Sequence, residues 1–175
     1  MVPTVETTRL LIAAVLVYIA VLASVLHPVT EAPEPGAYGS AHRHAYFDVK
    51  INNRSVDFSR PAFQLRADRV HFENRNGEIL HVHAKGISVG YTLRTLGIEA
   101  NRSCIELRET FCSNRTHDLR VYVDGRIVAR PLWYVIQQGD NVMVWYGPEE
   151  AKPPRSFFQK QLPSRYRPGS NGENV

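Results

Sequence analysis

The sequence predicts a β-rich α+β domain of antiparallel hairpins with one short helix, joined to an N-terminal transmembrane helix. Three observations carry this reading. The segment Leu10–Leu26 (LLIAAVLVYIAVLASVL) holds no charge. Between residues 46 and 147 apolar and polar residues alternate in several runs, which is the period of half-buried strands. Asp124-Gly125 follows one such run, and this dipeptide suits the two positive-φ positions of a tight hairpin turn.

The apolar segment comes first. A membrane-spanning helix needs about 20 predominantly apolar residues, with a lower limit near 17. Residues 10–27 approach that length, and Pro28 ends the run because proline cannot continue helical hydrogen bonding. The alternative is a cleaved signal peptide, whose apolar core is usually about 7–15 residues and precedes a small-x-small cleavage site. No Ala-x-Ala follows this longer run, so it reads as an uncleaved signal anchor in contact with membrane lipid through residues 10–27. Residues 1–9 are then cytoplasmic, with Arg9 giving a weak positive-inside signal that Glu6 opposes.

Beyond the anchor, residues 28–45 contain Pro28, Pro33, Pro35, Gly36 and Gly39 and read as a flexible stalk. Residues 46–147 are the expected extracytoplasmic β-rich domain. Residues 148–175, rich in proline and poor in apolar residues, read as a basic disordered tail. Its Lys152, Arg155, Lys160, Arg165 and Arg167 are expected to meet anionic lipid, an acidic glycan or a partner. The formal net charge is only +4. Basic residues do not gather with aromatic ones on one element, which argues against nucleic acid.

Within the domain, Phe47, Val49 and Ile51 alternate up to a turn at Asn52-Asn53, after which Val56 and Phe58 follow. Ser88 can cap a helix that places Val89, Leu93 and Leu96 on one face, with Gly97 at its end. Leu119, Val121 and Val123 lead into Asp124-Gly125, Ile127 and Val128 return, and Gly139-Asp140 turns the chain into the core strand Val142–Tyr146. The stretch Leu119–Gly147 resembles the closing half of a β-grasp (ubiquitin-like) domain.

The two cysteines, Cys104 and Cys112, are too isolated for a zinc pattern. As a disulfide they close a local hairpin, worth roughly 2–3 kcal/mol by chain entropy. Sequons begin at Asn53, Asn101 and Asn114, and the last two bracket the cysteines. Pair and sequons together favour an oxidising, extracytoplasmic setting and candidate glycosylation.

The most specific segment is Val70–His83 (VHFENRNGEILHVH). Val70, Phe72, Leu80 and Val82 share one face if a three-residue loop, Arg75-Asn76-Gly77, joins the arms with Gly77 left-handed. Phe72 then faces Leu80, and Val70 faces Val82. On the other face His71 lies across from His81, with His83 and Glu73 beside them. Such a group is a candidate site for copper or zinc, with Glu73 as fourth ligand or outer partner. The alternative is a solvated polar face, or one packed on a subunit or the helix. His42-Arg43-His44 falls in the expected stalk and has no preorganisation there.

The run His81–Gly90, then Leu96-Gly97, the cysteine pair, Val121–Gly125 and Trp145-Tyr146-Gly147 resembles small exported, membrane-anchored proteins of archaea and some bacteria. The likeness covers residues 46–147 and implies architecture and location, not an activity. The chain has no Gly-x-Ser-x-Gly, phosphate loop or Cys-x-x-Cys. The first functional expectation is therefore an interaction or accessory domain, such as a small subunit of a membrane complex. The second is a histidine-based metal-binding domain, and the third is an enzyme of unrecognised type.

Overall fold

The computed structural model describes residues 12–19 and 32–167. The chain divides into two compact units, Met1–Ala32 and Pro33–Val175. In the first unit, the described residues 12–19 are helical and belong to α1.

In the second unit, β1 (Arg43–Ile51) and β10 (Asn141–Pro148) are long enough to pair along most of their length. They run parallel, from Tyr46 opposite Asn141 to Ile51 opposite Tyr146. Antiparallel neighbours flank this pair. On one side lie β4 (Ile79–Val82) and then β3 (Val70–His71). On the other lie β8 (His117–Val123) and then β9 (Arg126–Ile127). The short β2 (Arg54–Ser55) folds back on β1, completing a seven-stranded sheet of order β3-β4-β1-β10-β8-β9. A separate three-stranded sheet holds β5 (Glu99–Ala100), β6 (Cys104–Glu106) and β7 (Thr110–Cys112).

Turn chemistry sets the hairpins as expected at two places. Asn52 and Asn53 both take positive φ before β2, and Asp124 and Gly125 do so between β8 and β9. Helix α2 (Val89–Thr95) is capped where the sequence indicates: the Ser88 hydroxyl oxygen accepts from Tyr91 N at 3.2 Å, and Gly97 follows at φ 74°.

The period of two sorts the main sheet's side chains onto two faces. Ala45, Phe47, Val49, Leu80, Val82 and Val144 point into one core, shared with Ile87, Val89 and Leu93 from the α2 region. Tyr46, Ile79, Tyr122, Met143 and Trp145 point to the opposite face, into a second core with Phe157 and Leu162.

Four expectations need correction. The transmembrane helix at residues 10–27 is the first. Among the described residues no helix is long and apolar enough to cross a membrane. The remainder of the 10–27 segment, and residues 1–9, lie outside the described residues.

The second correction concerns the stalk. Residues 33–42 dock on the domain: Gly36 N donates to Lys85 O at 2.8 Å, Gly39 N to His83 O at 2.7 Å, and Arg69 Nε to Gly36 O at 3.0 Å. The strand itself begins at Arg43. These bonds fix a segment whose proline and glycine content alone indicates flexibility. Residues 28–31 lie outside the described residues.

The third is the tail. Residues 148–167 form a strap across the second face, with Phe157 and Leu162 buried and 3-10 turns at Arg155–Gln159 and Ser164–Tyr166. Proline restricts regular structure here to the end of β10 and short 3-10 turns, but it does not exclude docking through interspersed aromatics. Residues 168–175 lie outside the described residues.

The fourth is the loop of the histidine hairpin. Asn74 and Arg75, not Gly77, carry positive φ, and Asn76 N donates back to Glu73 O at 2.9 Å. Gly77 is needed for space: a Cβ there would meet the backbone of Phe58 and Ser59.

Candidate metal centre

The site grows from three adjacent strands. His44 on β1 is registered opposite His81 on β4, which in turn is registered opposite His71 on β3. Neighbouring strands lie about 4.8 Å apart, so these imidazoles form a row on the strap side of the sheet. His42 precedes His44 by two residues and His83 follows His81 by two. Because β1 and β4 are antiparallel, both extend in the same direction and their rings meet at 5.0 Å between centroids. Ring separations of 4.5 Å for His44 and His81, 4.9 Å for His42 and His44, and 5.0 Å for His71 and His83 complete the group.

His42, His44 and His81 each offer a ring nitrogen, and these ligand atoms all lie within 4.8 Å of one another. These three histidines are therefore close enough to hold a metal ion. The backbone beneath them is fixed on both sides. His44 N donates to the Gln138 side-chain oxygen at 2.8 Å, and Gly139 N donates to His44 O at 2.8 Å. His83 N donates to Arg69 O at 2.8 Å.

Burial and mutual repulsion favour the neutral form of His44, His81 and His83. Burial, and then the neighbouring His81, His42 and His83, lower the pKa of His44 to about 4. Burial, and then His71, His83 and His42, lower that of His81 to about 4. His83 is lowered too, chiefly by burial and His71. Neutral imidazole is the form that ligates metals.

Tyr166 from the strap covers the row, its ring centroid 4.7 Å from that of His44 and 5.5 Å edge-on from that of His81. Gln138 ties the cover to the strand: its side-chain NH2 donates to Tyr166 O at 2.7 Å, while its oxygen holds His44 N.

The four residues expected from sequence come together as follows. His71 and His81 face each other in the expected register, with Val70 opposite Val82. The Glu73 carboxylate lies between their rings, Oε2 at 3.6 Å from His71 Nε2 and Oε1 at 3.5 Å from His81 Nε2. His83 joins from the end of β4. Of this set only His81 belongs to the tight triad. Its other members, His42 and His44, are those assigned to a flexible stalk. Their signal was present in the sequence: Ala45 continues the Phe47–Val49 alternation backwards, which puts His44 in phase on the opposite face.

Cys104 and Cys112 are bonded across β6 and β7, with Cα atoms 4.1 Å apart. Asn53, Asn101 and Asn114 are all exposed. Asn101 and Asn114 each accept, through the side-chain oxygen, from the backbone N and hydroxyl of the residue two ahead. Comparison of the chain with protein-family models, with curated proteins and with solved structures finds no match.

Proposed function

We propose that this domain binds a divalent transition-metal ion, copper or zinc, through the imidazoles of His42, His44 and His81. The observation that carries the reading is the convergence of three ring nitrogens within 4.8 Å, two of them on the paired strands β1 and β4. Nitrogen ligands of this softness suit zinc and copper, and not magnesium or calcium. His44 and His81, kept neutral by burial, bind without first losing a proton at neutral pH. Metal binding takes precedence over the accessory-domain expectation because it has this geometric support.

An oxidising, extracytoplasmic setting is part of the proposal. The Cys104–Cys112 bond and the exposure of all three sequons support it. The β-grasp relationship expected from Leu119–Gly147 is likewise proposed. It is supported by the parallel pair β1–β10, with antiparallel β4 and β8 outside it and α2 lying between β4 and β8 in sequence.

Calorimetric titration of the full chain with Cu(II) and with Zn(II) tests the function. His44→Ala and His81→Ala are each expected to weaken binding at least about 100-fold, beyond the 10–100-fold cost of losing an outer-shell partner. His117→Ala, whose ring stacks instead on Tyr146 at 5.5 Å, is expected to leave binding unchanged. Equal affinity in the wild type and in both triad variants would contradict the proposal.

A further inference from the structure

Three potential ligands remain beside the triad after one ion has been counted: His71, His83 and Glu73. They are not scattered. The His71 and His83 rings stand 5.0 Å apart, and His71 stacks parallel to His81 at 5.9 Å. The Glu73 carboxylate reaches both sides of this stack, one oxygen at 3.6 Å from His71 Nε2 and the other at 3.5 Å from His81 Nε2.

The tautomer of His71 is set by its surroundings. Its Nδ1 lies 2.9 Å from Ala67 O. A carbonyl oxygen only accepts, so Nδ1 carries the proton. Nε2, the nitrogen left to meet a ligand, is the one that faces the Glu73 carboxylate, at 3.6 Å from Oε2. A backbone carbonyl that fixes the far nitrogen is also the usual outer partner of a metal-bound histidine.

The two Glu73 separations fit an ion beside the carboxylate. With bonds of about 2.0–2.2 Å and a tetrahedral angle, two ligand atoms on one ion stand about 3.3–3.6 Å apart. The two Glu73 contacts, at 3.6 Å and 3.5 Å, are of this size. They are long for hydrogen bonds. Each oxygen faces a different ring, and His81 is also part of the triad.

We propose that the centre holds two ions: one on His42, His44 and His81, the other on His71 and His83, with the Glu73 carboxylate bridging them. This rests on the metal-binding reading and extends it to a dinuclear centre. A carboxylate bridge brings the ions to about 3.5–4 Å, the spacing of two-metal sites. The ligands belong to the class that takes first-row divalent ions such as Cu(II) and Zn(II).

The test is stoichiometry combined with magnetic coupling in the full chain. After equilibrium dialysis, metal analysis is expected to find two Zn(II) or two Cu(II) per chain. With copper, coupling through Glu73 is expected to reduce the paramagnetic resonance intensity well below that of two isolated ions. His71→Ala is expected to retain one ion with full single-copper intensity. Glu73→Gln, which keeps the side-chain shape, is expected to abolish the coupling, and circular dichroism checks that both variants fold. One ion per chain with His71→Ala unchanged, or two ions without coupling, would overturn the dinuclear centre and leave the single-ion site standing. No bound metal at all would overturn both.

Discussion

Truncation after Gly147 is expected to lower the stability of the domain by about 3 kcal/mol or more, visible as a fall in the urea midpoint. The strap it removes anchors itself through Phe157 and Leu162, 7% and 6% exposed. Burying two such side chains contributes roughly 3–6 kcal/mol in total, and ordering the strap takes part of this back. The larger loss falls on the sheet. Tyr46, Ile79, Tyr122, Met143 and Trp145 would form an exposed apolar patch on a face they now share with the strap. Polar ties would go as well: Tyr46 Oη donates to Gln161 O at 3.3 Å, and Asn141 Nδ2 to Lys160 O at 3.4 Å. The Lys160–Glu78 ion pair at 2.8 Å is exposed on the Glu78 side and contributes little. An unchanged midpoint would mean that the strap is not part of the folded unit.

Metal-free protein is expected to lose stability as pH falls from about 6.5 towards 4, by an amount on the order of 3 kcal/mol. His44 and His81 have pKa values lowered from 6.5 to about 4 in the folded state. Between those values the unfolded chain takes up protons that the folded one refuses, so acid favours unfolding. The stabilisation is fully present above about pH 6.5 and is lost as pH drops through the folded-state value. Asp48 and Asp140 act in the opposite sense, because burial raises their carboxyl pKa values. The contrast with a variant isolates the histidines. In the presence of chelator, the double variant His44→Gln, His81→Gln is expected to show a much shallower loss between pH 7 and pH 4.5. An identical pH profile in the two proteins would show that the imidazoles are not held neutral by the fold.

Local rules carried much of this architecture. The Asn52-Asn53 and Asp124-Gly125 turns, the Ser88 cap and Gly97 terminus, and the pairing of His71 with His81 all depend on residues near one another in sequence. What the chain does not reveal locally is which strands become neighbours. The pairing of β1 with β4 puts His44 opposite His81 across 37 positions of sequence, and only that pairing makes the triad. Composition also misled in two places. Proline and glycine in residues 33–42, and proline and basic residues after Pro148, read as flexible because such composition disfavours long regular elements. Both segments are instead fixed by contacts with the sheet: Gly36 and Gly39 by backbone bonds, and the strap by Phe157, Leu162 and Tyr166. The apolar run at residues 10–27 reads as a span by length and hydropathy alone, and among the described residues no helix is long and apolar enough to cross a membrane.

The most direct test of the metal centre is anomalous diffraction at the zinc or copper absorption edge from crystals grown with that ion. The expected result is a peak bounded by His42, His44 and His81, with ring nitrogens about 2.0–2.1 Å from it. Peaks found only elsewhere, such as at His117, or no peak while the three rings keep their present positions, would contradict the account.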